Sequence, residues 1–282
     1  EPFGSTVNWD IIPMNAVSGI NLMPGSNPLF GLNTLGGALA INTKNGKDFP
    51  GGSVTLLGGS FGRRALNAEY GGIDIANNLD YFVSINKDYQ DGWRDHSSSD
   101  IRQIFTKTGW HNEKTDLDLS LALADNEMEG TQALPLSMWG DTKKAYTYPD
   151  SIKNKLAMIS LKGTHFLADD KLIAGNIYYR MSNAKSFNSN VQCDGDGANH
   201  GCGTAVTNGT PSSNIDAQNL TSTTYQDGYG GSLQLSLLKD LFGYRNNFTV
   251  GASADWSRVN FNQDGYQASL INYQIITLFN YR

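Results

Sequence analysis

Apolar and polar residues alternate strictly along residues 115–126, TDLDLSLALADN. Leucine occupies every second position from 117 to 123, while Asp116, Asp118 and Ser120 are among the residues between them. A period of two is that of a β-strand, whose side chains point alternately to opposite faces. The leucines therefore face either the core of a soluble sandwich or the lipid around a membrane barrel, and this strand alone does not distinguish the two.

The same alternation recurs along most of the chain and predicts an all-β fold of about ten strands. Besides the leucine strand, the clearest segments lie near 79–90, 99–112, 153–166, 171–183, 228–239 and 247–260. Phe82 breaks the pattern, because it stands on the polar side of its strand. No run approaches the length of apolar sequence that a transmembrane helix needs.

The connections between these strands alternate in length. Residues 112–114 form a tight connection, whereas polar loops are expected over 127–152 and 185–226. Short turns at one end and long loops at the other are typical of outer-membrane barrels. Loops of that length are uncommon inside a compact soluble domain. Aromatic residues near strand ends are typical of the girdles of a barrel; they are Tyr89, Trp93, Trp110, Tyr178, Tyr179 and Trp256.

Composition narrows the function classes. The formal net charge is −6, and no basic run is present that could neutralise phosphates, so a nucleic-acid partner is not expected. Cys193 and Cys202 lie in one short polar segment, which favours a local disulfide and an oxidising compartment. The alternative is a metal site with His200, but a fourth ligand is missing, and Ala205 stands where a calcium loop needs glutamate. We therefore expect no metal.

An enzyme is also not expected. The stretch Gly58–Gly62 matches the G-x-S-x-G hydrolase motif, but that motif requires a strand followed by a helix. Both flanks here alternate like strands, so a tight hairpin is the better interpretation. No catalytic group and no cofactor is predicted.

The first part of the chain, rich in Pro, Gly and Asn, lacks long alternating strands and carries a resemblance to a known family. The stretches EPFGSTVNWDIIP, PGSNPLFGLNTLGGALAINTKNG and GGSVTLLGGSFGRRALNAEYGG resemble TonB-dependent outer-membrane receptors. In that family a plug domain ends in a PG…YG…GG-apolar-I-N pattern, followed by a first strand and a GSFG turn. The matching residues are Pro24, Gly25, Phe30, Gly31, Gly36, Gly37, Ile41 and Asn42, then Gly59–Gly62, with Phe30 where tyrosine is commoner.

The resemblance implies a barrel of about 22 strands whose lumen is closed by the plug. Residues 1–48 would be the C-terminal part of the plug, and 49–282 the N-terminal part of the barrel. The chain is then expected to be an internal piece of a receptor, completed by further strands or chains. The region that contacts the energy-transducing partner is expected to lie outside it.

The function that this resemblance implies is active uptake of a scarce, bulky solute at the bacterial outer membrane: a siderophore–iron complex, cobalamin or a saccharide. The implied partners are a TonB-type energy-transducing protein, outer-membrane lipid and an extracellular small-molecule ligand. Candidates for ligand contact in the predicted loops are Trp139, Tyr146, Tyr148, Phe187 and Asn190. The alternatives are a passive porin-like or adhesin barrel, and a soluble β protein that binds carbohydrate.

Overall fold

A computed structural model describes residues 7–24, 37–130, 133–134, 136–191, 206–207, 210–211, 216–239, 244, 246–271 and 274–280. The strands are β1 (Val17–Pro24), β2 (Gly37–Thr43), β3 (Gly51–Gly58), β4 (Arg64–Asp74), β5 (Leu79–Gln90), β6 (Ser99–His111), β7 (Thr115–Glu129), β8 (Ser151–Ala168), β9 (Lys171–Val191), β10 (Val206–Thr207), β11 (Thr210–Pro211), β12 (Asp216–Leu237), β13 (Phe248–Ile271) and β14 (Gln274–Asn280). Short 3₁₀ turns occupy Trp9–Ile11, Met14–Ala16 and Leu136–Met138. Within these ranges, no helix has both the length and the apolar character that a membrane crossing demands.

One large antiparallel sheet dominates the fold. Its ten strands follow the order β14-β13-β12-β9-β8-β7-β6-β5-β4-β3, so nearly every strand pairs with its neighbours in sequence. β1 and β2 form a separate hairpin, and β10 and β11 a second small one. The prediction of an all-β fold with about ten strands is confirmed.

The two ends of the large sheet differ. At the turn end, the connections include 75–78, 112–114 and 169–170. At the loop end, residues 91–98 and 130–150 make longer excursions, and β9 connects to β12 through 192–215, most of which lies outside the described residues. The predicted hairpin after β3 is present at the loop end. Phe61 has a φ of 59° there and Gly62 a φ of 65°, so the turn needs two residues in the left-handed region.

The two faces of the sheet also differ. We call the face that contacts residues 7–48 the inner face and the opposite one the outer face. Phe82 and Phe105 on the inner face pack against Ala16 of that N-terminal segment. On the outer face, Leu117, Leu119 and Leu123 remain 37%, 46% and 38% exposed.

The alternation along β7 therefore has the predicted orientation. Asp118 points to the inner face, where its carboxylate lies 3.3 Å from the Lys107 ammonium. Asp116 also lies on this face and contacts His111. The leucines point outward into a continuous exposed apolar band, a feature that soluble monomers rarely show at this extent. The other outer-face members of the band include Ile85, Ile104, Ile159, Leu161, Ile177, Tyr179, Tyr229, Leu233, Val250 and Trp256.

Two residues differ from what the sequence predicts. Phe82 interrupts the alternation because it is an inner-face anchor for the N-terminal segment and is only 2% exposed. Tyr178, predicted for an interfacial girdle, points to the inner face instead, where it donates a hydrogen bond of 2.6 Å to Asp255. Tyr89, Trp110, Tyr179 and Trp256 lie on the outer face, as the register of their strands requires.

The predicted loop over 185–226 is too long at both ends. β9 continues to Val191, and β12 begins at Asp216. These extensions consist mainly of Ser, Asn, Thr and Gln, so they lack the apolar alternation that reveals a strand with one face in lipid. Backbone pairing runs through them: Ala217 pairs with Val191, and the ladder continues without a register shift to Lys171.

Candidate functional site

The N-terminal segment is attached to the inner face at a carboxylate clasp. Asp10, in the first 3₁₀ turn, accepts hydrogen bonds at its carboxylate from Asn154 Nδ2 at 2.9 and 3.0 Å and from Asn126 Nδ2 at 3.0 Å. Its backbone carbonyl accepts from Gln103 Nε2 at 2.5 Å and from Asn126 Nδ2 at 2.6 Å. The three amides lie on β6, β7 and β8 and are nearly inaccessible to solvent.

The chemistry of this clasp favours attachment that can be released. Hydrogen bonds to a charged group are stronger than neutral ones, at about 1.5–3 kcal/mol each. The amide partners are neutral, so separating the clasp does not strand an opposite charge in the wall. Asn154 Oδ1 is buried and lacks a hydrogen-bond partner within the described part of the chain, so the wall is left incompletely satisfied even when the clasp is closed.

A second attachment lies toward the turn end. Asp80 on β5 is 2% exposed. Its carboxylate accepts the Gly46 N–H at 2.7 Å and lies 2.6 Å from His111 Nε2. A Cβ at Gly46 would overlap the carbonyl oxygens of Tyr81 and Gly72, so the connection into β3 runs against the strands more closely than any side chain allows.

An ion pair and an apolar contact complete the attachment. Lys44 Nζ lies 2.7 Å from Glu69 Oε2 on β4, with both side chains mostly buried. Phe82 and Phe105 lie with ring centroids 6.5 Å apart and enclose Ala16. The N-terminal segment is thus attached to the inner face at three levels along the strands: at Asp10, at Ala16 with Lys44, and at Gly46.

A cavity of about 730 Å³ lies between the N-terminal segment and the sheet. The segment contributes an apolar side that includes Val7, Ile11 and Ile41. The sheet contributes apolar residues, such as Phe105 and Met158, and a polar set on the same wall. The polar set includes Lys107, Asp118, Ser160, Lys162, Tyr178 and Arg180. This volume is in the range of sites that accommodate drug-sized ligands, and cations outnumber acids on the wall.

Two loops form an ordered cover at the loop end. The Asp95 N–H donates to the Lys143 carbonyl at 2.8 Å, and Arg94 Nη2 donates to the Lys144 carbonyl at 2.9 Å. The rings of His96 and Tyr148 stack with centroids 3.8 Å apart. Loops 91–98 and 133–150 therefore behave as one unit, although they belong to different hairpins.

The predicted ligand-contact residues lie at the loop end and make different contacts there. Tyr146 packs, as Val191 does, against the buried pair Ala217 and Ala268, and its burial raises the pKa of its hydroxyl. The ring of Tyr148 stacks on the ring of His96.

The other three candidates differ in the face that they occupy and in their exposure. Phe187 follows the outer-face side of β9, because it is in register with Ser151 and alternates with the inward Ser186 and Asn188. Asn190 follows the inner-face side of the same strand. Trp139 is 66% exposed on the 133–150 loop. Of the five, Trp139 is the most exposed, and the other four are half-buried.

Other predicted residues are only partly described. Pro24 pairs with Gly37 at the end of the β1–β2 hairpin. Gly37 has a φ of 134°, and a Cβ there would lie 2.7 Å from the Met23 carbonyl oxygen, so this position requires glycine. Gly25, Phe30, Gly31, Gly36, Cys193 and Cys202 lie outside the described residues, and the plug pattern and the disulfide at those positions stay predictions.

Sequence reasoning missed the residues of the clasp. Asp10, Gln103, Asn126 and Asn154 belong to four separate segments of the chain. The period of two places the three amides on the polar face, but it does not show that they meet one carboxylate. The available signal was an amide residue, rather than a charged one, at an inward position on each of three adjacent strands.

The comparisons with known proteins agree on the fold. No family model and no curated protein matches the sequence. The ferric citrate transporter FecA superposes with a TM-score of 0.68 and 13% identity, over 96% of this chain and 39% of that one. The ferric preacinetobactin receptor BauA of Acinetobacter baumannii gives 0.64 and 12%, over 94% and 39%. The pyoverdine receptor FpvA of Pseudomonas aeruginosa PAO1 gives 0.63 and 16%, over 95% and 39%.

This chain thus spans 39% of the length of each of these three proteins. At such low identity the likeness establishes the fold, and it covers nearly all of the present chain. The ordered N-terminal segment, the ten-stranded sheet and the covered loop end together have the fold of part of a TonB-dependent outer-membrane receptor.

Proposed function

We propose that this chain belongs to an outer-membrane receptor that takes up a bulky solute through a plugged β-barrel. Residues 1–48 form the end of the plug, and residues 49–282 form the first strands of the barrel. The outer face lies in lipid, the loop end faces the outside of the cell, and the turn end faces the periplasm. Further strands complete the ring, because an open sheet edge in lipid leaves backbone groups without partners.

One observation carries this proposal: the inner face holds a separate segment by a few polar contacts, beside a cavity, while the outer face is apolar. A passive channel has no need of such a segment. A transporter needs it to be firm at rest and displaceable, and a carboxylate held by neutral amides meets both conditions. We propose that force transmitted from a TonB-type partner in the periplasm opens these contacts.

We propose an anionic iron chelate as the solute. The solved structures with this fold include transporters or receptors for ferric citrate, pyoverdine and preacinetobactin, as their descriptions state. The cavity wall supports an anion, because three cations line it, Lys107, Lys162 and Arg180, together with one acidic residue, Asp118. Cobalamin and saccharides, which lack this negative charge, fit the wall less well.

The test is uptake by cells. A strain that expresses the receptor, and the same strain without it, are grown under iron limitation with radioactive iron supplied as one chelate at a time. We expect receptor-dependent accumulation of an anionic chelate, and loss of that accumulation when the TonB-type partner is deleted or the proton gradient is collapsed. Accumulation that persists without the gradient contradicts active transport and favours a passive channel.

A matched pair of variants tests the role of the wall. Lys162→Gln removes a cation that lines the cavity, whereas Lys114→Gln removes one from the turn between β6 and β7. We expect the first variant to raise the chelate concentration for half-maximal uptake by about fivefold, as for loss of one favourable charge of roughly 1 kcal/mol. Equal effects of the two variants contradict an anionic solute in this cavity.

A further inference from the structure

A histidine at the turn end lies between two carboxylates on the inner face. His111 is the last residue of β6, and its Nε2 lies 2.6 Å from Oδ2 of Asp80 on β5. Its Nδ1 lies 2.9 Å from Oδ1 of Asp116 on β7. Both nitrogens of the ring therefore face a carboxylate oxygen.

This arrangement fits a protonated ring. A neutral imidazole has one N–H donor and one acceptor nitrogen, whereas an ionised carboxylate only accepts hydrogen bonds. Both contacts of His111 are therefore hydrogen bonds only when the ring carries two protons and a positive charge. Asp80 also accepts the Gly46 N–H at 2.7 Å, so the same carboxylate contacts the ring and the N-terminal segment.

A glycine provides the space for this contact. Gly109 stands directly opposite Asp80 across β5 and β6. A Cβ at position 109 would overlap both the Asp80 carboxylate and His111 Nε2. The ring of His111 can thus fold back along its own strand and reach the carboxylate that holds Gly46.

The three side chains differ in their access to water. The Asp80 side chain is 2% exposed, whereas those of His111 and Asp116 are 31% and 60% exposed. The ring can therefore exchange a proton with water. A buried carboxylate is costly without a counter-charge, so loss of that proton affects Asp80 more than Asp116.

The N-terminal segment brings a cation to the same end of the sheet, but that cation has another partner. The Lys44 ammonium lies 2.7 Å from the Glu69 carboxylate on β4. Within the described ranges, the ion pair of Asp80 is the one with His111. The counter-charge of Asp80 thus depends on the protonation of one ring.

The other charged groups on the neighbouring strands lie one step farther toward the loop end. Lys107 on β6 lies 3.3 Å from the Asp118 carboxylate on β7, and Lys162 on β8 stands opposite Asp118. Beside Asp116, β8 places the neutral Thr164, whose hydroxyl lies 3.4 Å from the carboxylate.

We propose that Asp80, His111 and Asp116, which we call the histidine latch, hold the N-terminal segment at Gly46 in a pH-dependent way. With the ring protonated, Asp80 has its counter-charge and the contact is stable. With the ring neutral, one N–H remains for two carboxylates, and the Gly46 contact opens more often. The stabilisation is present at acidic pH and is lost as the pH rises through the titration of the ring. The purpose of the latch, control over release of the plug, rests on the proposed function.

Amide hydrogen exchange of the full receptor chain in lipid vesicles tests the latch. Exchange of residues 44–50 is measured at several values between about pH 5.5 and about pH 8.5, on both sides of the ordinary histidine titration. Division by the intrinsic exchange rate at each pH gives the protection. His111→Gln keeps a polar side chain that does not titrate. The control is His165→Gln, which removes a histidine of β8 that contacts the Thr115 hydroxyl rather than a carboxylate.

We expect protection of residues 44–50 in the wild type to fall about fivefold from the lowest to the highest pH, as when a charge-assisted hydrogen bond becomes a neutral one. The His165→Gln variant should show the same fall, and His111→Gln should show low protection at every pH. Protection that is independent of pH in the wild type, or a fall that persists in His111→Gln, overturns the latch.

A second variant changes the exposed end of the latch. Asp116→Asn removes one of the two carboxylates that favour the charged ring. We expect the midpoint of the pH dependence to move to lower pH, an effect that a purely structural role of His111 does not produce. An unchanged midpoint also overturns the latch.

The exchange measurement needs neither a solute nor an energy source, so its result is independent of the uptake assay. Receptor-dependent uptake of a chelate by a protein whose protection does not change with pH overturns the latch alone. A pH-dependent latch in a protein that takes up no chelate overturns the transport proposal alone.

Discussion

The two faces of the large sheet are made from the same strands and have different requirements. On β7, the outward Leu119 needs only an apolar surrounding, and its neighbours Thr108 and Leu161 across the ladder set no particular geometry. The inward Asn126 must meet a specific carboxylate on a residue 116 positions away in the sequence. The outer face is thus determined by its surroundings, and the inner face by specific partners.

The largest effect is expected from a charge placed on the outer face. Leu119→Arg puts a cation into the apolar band, and we expect the free energy of unfolding to fall by about 2–4 kcal/mol, the cost of arginine near the middle of a bilayer. Urea titration of the protein in lipid vesicles, followed by tryptophan fluorescence, measures the change.

The adjacent residue on the inner face supplies the control. Ser120 lines the cavity and shares a hydrogen bond of 2.8 Å with Ser160. Ser120→Arg loses that bond, for about 1 kcal/mol, and the new side chain has room in the cavity. If both arginines destabilise the protein equally, the two faces do not differ as the structure indicates.

A smaller effect is expected at the carboxylate clasp. Asp10→Ala leaves the buried Asn154 amide without its acceptor and removes one of the two acceptors of Asn126. The N-terminal segment should therefore open more often while the sheet stays intact. We expect amide hydrogen exchange in residues 9–24 to accelerate about 30-fold, which corresponds to roughly 2 kcal/mol of local stability.

Asp48→Ala is the matched control for Asp10→Ala, because the hydrogen bonds of Asp48 are made with the nearby Asn45 rather than with the sheet. Exchange in residues 9–24 should then remain as in the wild type. Acceleration of exchange in β6 to β8 by Asp10→Ala, to the same degree as in the segment, contradicts a local clasp and indicates that Asp10 supports the whole sheet.

The outer face was largely predictable from sequence, and the inner attachments were not. Leucine at every second position suffices to predict a strand with one apolar face, because such a face needs no particular partner. Asp80, Asp10 and Gly46 acquire their roles from contacts between distant segments, and a period of two carries no information about which polar residues meet. Phe82 showed the limit most clearly, because its only signal was a break in the pattern.

The strand extensions at the loop end show the same limit. Residues of β9 and β12 beyond the apolar band are polar on both faces, so nothing in their alternation distinguishes a strand from a loop. The aromatic residues of the 133–150 loop were predicted for ligand contact, but Tyr146 and Tyr148 stabilise the loop cover itself. An aromatic residue in a loop fits either role until its neighbours are known.

A moderate effect is expected where the chain enters β3. Gly46→Ala places a methyl group against the carbonyl oxygens of Tyr81 and Gly72. We expect a loss of about 1–3 kcal/mol in the free energy of unfolding, as for other overpacked positions. The control is Gly130→Ala, where a Cβ meets no atom within 4 Å; a similar loss there contradicts the steric explanation.

The smallest effect is expected in the loop cover. His96→Ala removes the ring that stacks on Tyr148, and we expect a local loss of about 1 kcal/mol, seen as roughly fivefold faster proteolysis within 133–150. Trp139→Ala removes an exposed ring from the same loop and should leave the cleavage rate unchanged. Faster cleavage in both variants would show that the loss of any aromatic ring loosens this loop, and would contradict a specific role for the stacked pair.

The most direct test of the two-faced sheet is a spin-label scan of β7. Single cysteines replace each residue from Leu117 to Leu123 in turn, with Cys193 and Cys202 changed to serine, and the labelled protein is placed in lipid vesicles. Collision with oxygen, which dissolves in lipid, is measured against collision with a water-soluble nickel complex. We predict high oxygen accessibility at the odd-numbered positions and low oxygen accessibility at the even-numbered ones; equal accessibility along the strand, or the opposite phase, would contradict the account.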